Sequence, residues 1–219
     1  MFVRPTHGRA GMGAVKMTSH KDRIFLNKDQ HSVESAKDVL LQRPNSVISE
    51  LQHQHRLIDE IFSNTLNTVR VRTYIDPAVG KSFVGCAVLK LGSEKSYPVD
   101  NWHAGGLVST IDLESGMLGR AAAKTKSDEF IWYDSHPDTG VQITGKVVPF
   151  WDEITELANL ATEAYGGTTS VGWDIAITPN GPVFIEGNNY PNLLMLQLGG
   201  GLLSNERIRK YYQFHGFSI

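Results

Sequence analysis

A single cysteine, Cys86, stands among the 219 residues. It cannot form an internal disulfide, and its place in the apolar stretch from Ser82 to Leu91 reads as a buried, reduced thiol, which points to the cytosol. Long hydrophobic runs are missing as well. No stretch approaches the roughly 20 apolar residues of a membrane-crossing helix, and the N-terminus has no apolar signal core, so a cytoplasmic chain without a membrane span is expected. Charge of one sign is scarce: 21 Lys plus Arg stand against 23 Asp plus Glu, a formal -2. Electrostatics alone will therefore hold neither nucleic acid nor an anionic membrane, and small-molecule partners are expected. Repeats, low-complexity tracts and charge blocks are also absent. What is present is ordinary globular composition, 41% hydrophobic and 20% charged, enough for one large or two small domains.

Phe2-Val3-Arg4-Pro5 and Ala14 to Thr18 read as strands flanking a glycine-punctuated loop, His7 to Gly13, and so as a hairpin with that loop at its tip. Ser32 can cap a helix running to about Gln42, and Asn45 to Leu51 is strand-like after the helix-stopping Pro44. A second helix is expected over about Gln52 to Phe62. From Thr68 to Ala123 the chain is strand-like, broken at Asp76-Pro77, Gly92-Ser93, Asp100 to Gly106 and Glu114 to Gly116; this predicts the centre of an antiparallel sheet. Trp151 to Tyr165 forms the clearest helix, with an apolar stripe through Ile154, Leu157, Ala158, Ala161, Ala164 and Tyr165. Two strands, Ser170 to Thr178 and Val183 to Asn188, precede a last helix between Ser204 and Gly216. The fold class expected is α+β, with a small lobe over residues 1–51 carrying the glycine loop and a larger lobe over 52–219. A ligand is expected in the cleft between them.

The loop Gly8-Arg9-Ala10-Gly11-Met12-Gly13 lacks the Gly-Lys-Ser/Thr ending of a P-loop and leads into a strand rather than a helix. It can still close over phosphates as a flap, because missing side chains let backbone N–H groups reach the oxygens; a plain turn near a chain end is the other reading. Alternation along Thr68 to Ile75 sets Val69, Val71, Thr73 and Ile75 on one face and Arg70, Arg72 and Tyr74 on the other. Two arginines on one strand face can clamp a phosphate or carboxylate and take up charge in phosphoryl transfer, or else pair with acidic neighbours at the surface.

In the hairpin from Gly172 to Asn188 the turn decides where the polar groups go. A two-residue Asn180-Gly181 loop sends Asp174 and Glu186 to opposite faces, whereas a three-residue Pro179-Asn180-Gly181 turn, with Gly181 left-handed, sets Asp174 opposite Glu186. The second suits a proline first and a glycine last. Asp174, Glu186 and Asn188 then share a face and form an all-oxygen set suited to Mg²⁺, completed by waters and nucleotide phosphates; an exposed polar face of an edge hairpin is the alternative. Two facing carboxylates repel, so at least one raised pKa is expected.

Taken in order, the segments FVRPTHGRAGMG, NTVRVRTYID, VDNWHAGGLVSTIDLESG, HPDTG and VGWDIAITPNGPVFIEGN resemble the sugar-transfer-associated ATP-grasp family over nearly the whole chain. The resemblance implies two α+β lobes with ATP between them and Mg²⁺, or Mn²⁺, as the metal. It implies a ligase that phosphorylates a carboxylate and lets an amine or similar nucleophile displace the phosphate, on a small or sugar-linked substrate in polysaccharide or cell-surface biosynthesis. A nucleotide-binding module without catalysis, and a phosphotransferase acting on a sugar hydroxyl, are the alternatives. Asp174, Glu186 and Asn188 match the metal positions and Arg70 a phosphate-facing one, giving with Arg72 and Asn67 the catalytic set. Arg4, Gly8, Gly11, Gly13, Lys16, Glu50 and Leu51 are the nucleotide set, Glu50 and Leu51 lying at the interlobe hinge near adenine and ribose. Arg4 stands where the family pattern has a lysine of different geometry. Asp100, Asn101, Gly105 and Gly106 match a family segment without an evident role, and His136 reads as a turn histidine rather than a base. Family members carry a domain ahead of the first strand that helps shape the second-substrate site. This chain starts almost at that strand, so a missing N-terminal domain or a homo-oligomer is expected to complete that site.

Overall fold

The computed structural model of the chain describes residues 1–7, 11–21, 23–43, 45–127 and 129–219. Its first part is a five-stranded antiparallel sheet of β1 (Phe2–Pro5), β2 (Val15–His20), β3 (Arg23–Leu26), β4 (Asp29–His31) and β5 (Ser46–Ser49), in the order β4-β3-β2-β1-β5. Helix α1 (Val33–Leu41) lies on this sheet and closes a small core of Val3, Val15, Leu26 and Ala36. Ser32 caps it, its hydroxyl accepting from the Ser35 amide at 3.1 Å, which satisfies a donor that the first helical turn leaves free.

Residues 50–67 link this sheet to a second one. The helix expected over Gln52 to Phe62 shortens there to one turn, α2 (Arg56–Asp59). Tertiary bonding is the reason: the His55 amide donates to the Ile177 carbonyl at 2.6 Å, and the Gln54 side chain reaches the Phe62 carbonyl at 2.9 Å, so neither residue continues a helix backwards.

The second sheet has seven antiparallel strands, β6 (Thr68–Ile75), β7 (Ser82–Leu91), β8 (Leu107–Ile111), β9 (Leu118–Lys124), β10 (Phe130–Tyr133), β11 (Ser170–Thr178) and β12 (Gly181–Asn188), in the order β10-β9-β8-β7-β6-β11-β12. Helix α3 (Trp151–Tyr165) covers one face, over a core that includes Val69, Val71, Leu89, Ile154 and Ala158. Its buried stripe runs through Trp151, Ile154, Ala158 and Thr162, while Ala164 and Tyr165 are exposed. The apolar stripe drawn from sequence thus drifts off the core at the helix end. Thr162 is buried because its hydroxyl meets Thr73 at 2.6 Å and accepts from Trp173 Nε1 at 2.8 Å. On the opposite face, α4 (Leu193–Leu196) and α5 (Glu206–Phe214) cover a second cluster around Tyr74, Val88 and Trp102. Among the described residues, no helix is long and apolar enough to cross a membrane.

The β11–β12 hairpin reaches the expected pairing by a different route. Thr178 pairs with Gly181, so the turn is the two residues Pro179-Asn180, not three. Thr178 holds it closed, its hydroxyl donating to the Gly181 carbonyl at 2.8 Å and accepting from the Asn180 amide at 3.2 Å. Gly181 has φ +117°, and closes the ladder instead of occupying the turn. A bulge between Asp174 and Ile175 then shifts the register by one residue, and Asp174 comes to face Glu186.

Candidate active site

Alternation along β6 puts Thr68, Arg70, Arg72 and Tyr74 on the face away from α3. Neighbouring strands bring their own polar groups there: β11 pairs Asp174 with Arg70 and Gly172 with Arg72, and β7 pairs Lys90 with Thr68. The arginines are not at the surface. Arg70 and Arg72 are 7% and 8% exposed, Lys90 8% and Asp174 2%. Arg70 grips Asp174 side-on, Nε to Oδ1 and Nη2 to Oδ2, the latter at 2.7 Å. Lys90 Nζ donates to Asp174 Oδ2 at 3.0 Å and lies 3.4 Å from Asp100 Oδ1. Asp100 Oδ2 in turn accepts from the amide and hydroxyl of Thr68, at 3.0 and 2.6 Å. Two cations and two carboxylates therefore sit together with little access to water, three of them buried and Asp100 half-buried, in balance.

Burial and pairing compete at each of these groups. For Asp174, burial pushes the pKa up, but the charges of Lys90 and Arg70 outweigh it and hold the carboxyl below its usual value. This corrects the expectation that repulsion from Glu186 would raise it: the nearest charges are positive. Burial dominates at Asp100 and raises its pKa, with Lys90 offsetting only part. Burial also works against the charge of Lys90, yet Asp100 and Asp174 lift its pKa above the ordinary value. The Arg70 guanidinium is held above its ordinary value in spite of burial, by Asp174 first and then by Glu186 and Asp100.

The three residues assigned to a metal divide. Glu186 is exposed and Asn188 half-buried, and Asn188 Nδ2 donates to Glu186 Oε1 at 3.3 Å. Their oxygens are open to a hard cation. Asp174 shares its cross-strand row with Glu186, and Asn188 lies in the neighbouring row, but both oxygens of Asp174 already accept from Arg70 or Lys90. Among the described residues, no group of three or more His, Cys, Asp or Glu is arranged to hold a metal.

Residues of the N-terminal part approach the second sheet and its connections at several points. Arg4 Nη1 of β1 is 3.9 Å from Glu186 Oε2. Lys16 of β2 donates to the Asn64 carbonyl at 3.2 Å, and burial lowers its pKa. Gly11 and Gly13 have φ +71° and +76°, and a Cβ at Gly11 would lie 2.9 Å from the methyls of Val99, beside Asp100. Gly8 lies outside the described residues. Glu50 is exposed and Leu51 half-buried, directly after β5 and at the start of the link between the sheets.

Asn67 is drawn elsewhere. It is fully buried, Nδ2 donating to Gln54 Oε1 and the Phe62 carbonyl, and Oδ1 accepting from Thr65 and the Gly92 amide. Its polar atoms are spent on joining the link to the sheet, so the structure does not bring it to the charged cluster as a reacting group. His136 is likewise internal, Nε2 meeting the Gly92 carbonyl at 2.8 Å while its ring stacks on Phe62. The 100–106 segment gains a role: Asp100 pins Thr68, Asn101 Oδ1 accepts from the Ala104 amide at 3.1 Å, and a Cβ at Gly106 would strike the Leu91 carbonyl at 2.7 Å. Sequence reasoning missed Lys90. The signal available was a lysine near the end of a strand otherwise built of small and apolar residues, SFVGCAVLKL.

The model of a family described as sugar-transfer associated ATP-grasp matches residues 1–210 of the chain. No curated protein matches it.

Proposed function

Because the chain belongs to the sugar-transfer associated ATP-grasp family, we propose that it is an ATP- and Mg²⁺-dependent ligase that joins a carboxylate to an amine or similar nucleophile through an acyl-phosphate. The observation that carries this reading is the balanced cluster of Arg70, Lys90, Asp100 and Asp174 next to the open oxygens of Glu186 and Asn188. Mg²⁺ and nucleotide phosphates bring both signs of charge together, and such a cluster can exchange partners with both. Arg70 and Lys90 would meet phosphate oxygens, and Asp174 would join Glu186 and Asn188 in holding the metal, an all-oxygen set suited to Mg²⁺. Bound Mg²⁺ would supply charge neutralisation along the phosphates.

In the proposed reaction a substrate carboxylate oxygen attacks the γ-phosphorus and the bond to ADP breaks. The nucleophile's nitrogen then attacks the acyl carbon, the C–O bond to phosphate breaks, and the nitrogen's proton is released to solvent. Arg70 takes up charge developing on the transferring group. Arg4, Lys16 and the Gly11 to Gly13 turn would face the nucleotide from a small lobe over residues 1–51, with Glu50 and Leu51 at the hinge. No side-chain nucleophile is required. Cys86, half-buried rather than fully buried as expected, does not serve as one, since desolvation pushes its pKa up to about 12; a free thiol also suits a cytoplasmic setting.

The test is ADP release with Mg²⁺ over a panel of carboxylates, amines and sugars, with hydroxylamine added to trap acyl-phosphate as hydroxamate. Carboxylate-dependent ADP release with hydroxamate supports the ligase. ADP release with sugars and without hydroxamate gives the phosphotransferase instead, and Mg·ADP binding without turnover gives the binding module.

A further inference from the structure

Arg72 differs from Arg70, two residues earlier on the same strand face, in having no counter-ion among the described residues. It is 8% exposed, its Nε donates to Ser170 Oγ at 3.1 Å, and its guanidinium carbon sits 5.0 Å from the centre of the Tyr74 ring. Among the described residues it forms no ion pair, and its two terminal nitrogens make no hydrogen bond. The cross-strand rows explain why. The row of Arg70 contains Asp174 and Glu186, whereas the row of Arg72 contains Gly172 and Asn188. A cation so far out of water without an opposite charge beside it is costly to keep, so the missing charge is one that a ligand would bring.

The chemistry of that ligand follows from the edge left free. With Nε held by Ser170, the two Nη groups offer a forked pair of donors that matches a planar carboxylate. We propose that Arg72, oriented by Ser170, binds a carboxylate of the substrate that takes no part in bond formation. The substrate is then a short dicarboxylate, with its reacting carboxyl at the Arg70 row and its second carboxylate one row along, about 7 Å away at strand spacing. Gly172, on the strand between the two arginines and β12, lets Pro191 and the Arg70 stem pack against the strand, since a Cβ there would stand 2.7 Å from Pro191 and 3.4 Å from Arg70 Cδ. This inference rests on the ligase reading above.

The experiment uses the full chain with Mg·ADP present. Malonate, succinate, glutarate and glutamate, each with its monomethyl ester, are titrated calorimetrically into the wild type, Arg72→Lys and Arg72→Met. At least one dicarboxylate is expected to bind the wild type, with its monoester roughly tenfold weaker. Arg72→Met should bind both forms equally weakly, Arg72→Lys should fall between, and Mg·ADP affinity should stay within about twofold in both variants. Arg72→Met should also melt close to the wild type, because it removes an uncompensated charge; a structural role would lower the melting temperature instead. Unchanged dicarboxylate affinity in Arg72→Met overturns the proposal, as does a wild type that binds none of the panel. A parallel fall in Mg·ADP affinity overturns it too, by moving Arg72 into the nucleotide site. If the wild type does not bind Mg·ADP, the ligase reading fails by itself, and the same titrations without nucleotide decide on Arg72.

Discussion

Arg70 and Asp174 are directly paired residues of β6 and β11, 104 positions apart in sequence, and their side chains meet side-on through two contacts at right depth for burial. Neither group is tolerable there alone, since an isolated charge out of water costs several kcal/mol even after relaxation. The pair therefore depends on the β6–β11 register, which runs through Asp174 and Ile175 without a shift, while the bulge in the β11–β12 pairing brings Glu186 to the same row.

Lys90 is the test of that dependence. Lys90→Met removes the cation that Asp174 and Asp100 share, leaving the two carboxylates with Arg70 as their only cationic neighbour in the cluster. A loss of about 3–5 kcal/mol is expected, read from urea denaturation midpoints. A loss below about 1 kcal/mol would mean that water already reaches the cluster.

The two aspartates should give opposite pH signatures. Asp174 has its folded pKa below the ordinary 3.8, so its contribution is present above that value and is lost as pH falls through the depressed pKa. Asp100 has its folded pKa above 3.8, so its contribution is present below that value and is lost as pH rises through the raised pKa. Denaturation midpoints followed against pH should show a flatter acid limb in Asp174→Asn. In Asp100→Asn the decline on the other side of the ordinary value should flatten.

Much of this site was legible because strand alternation and register are read two residues at a time. The face shared by Arg70, Arg72 and Tyr74 follows from the period of the strand alone, whereas Asp174 opposite Glu186 was expected through a three-residue turn that is absent and arises instead from a bulge that the sequence did not show. Lys90 and the role of Asp100 were not legible, because both depend on β7 and the 100–106 segment converging on β6, which no local period encodes. Asn67 shows the reverse error: its position at the start of an arginine-bearing strand suggested chemistry, while the Gln54 and Gly92 contacts that occupy it come from distant parts of the chain.

At Gly11 two restraints coincide, a positive φ and the Val99 methyls. Gly11→Ala is expected to cost about 1 kcal/mol or more in stability and to weaken Mg·ADP binding. Adding Val99→Ala should recover part of the loss, since it removes the contact and leaves the backbone strain. Full recovery would show that φ is not restraining, and no recovery that the glycine turn does not rest on Val99. Paired melting curves decide.

Arg4 and Glu186 are 43% and 48% exposed at the side chain, so their contact should add less than about 1 kcal/mol to stability. Arg4→Ala should leave the melting temperature nearly unchanged while weakening Mg·ATP, which separates a ligand-facing cation from a structural one. A large drop in melting temperature would assign Arg4 to holding the two sheets together.

The most direct measurement is calorimetric titration of ADP into the wild type and Glu186→Gln, each with and without Mg²⁺. Glu186 is exposed and the amide keeps its shape, so the variant should fold as the wild type does. The wild type is expected to bind ADP more tightly with Mg²⁺, and Glu186→Gln to lose about tenfold or more of that Mg²⁺-dependent gain while its metal-free ADP affinity stays the same. Equal Mg²⁺ dependence in the two proteins would contradict the account, because the open oxygens of the β12 strand would then have no part in holding the metal.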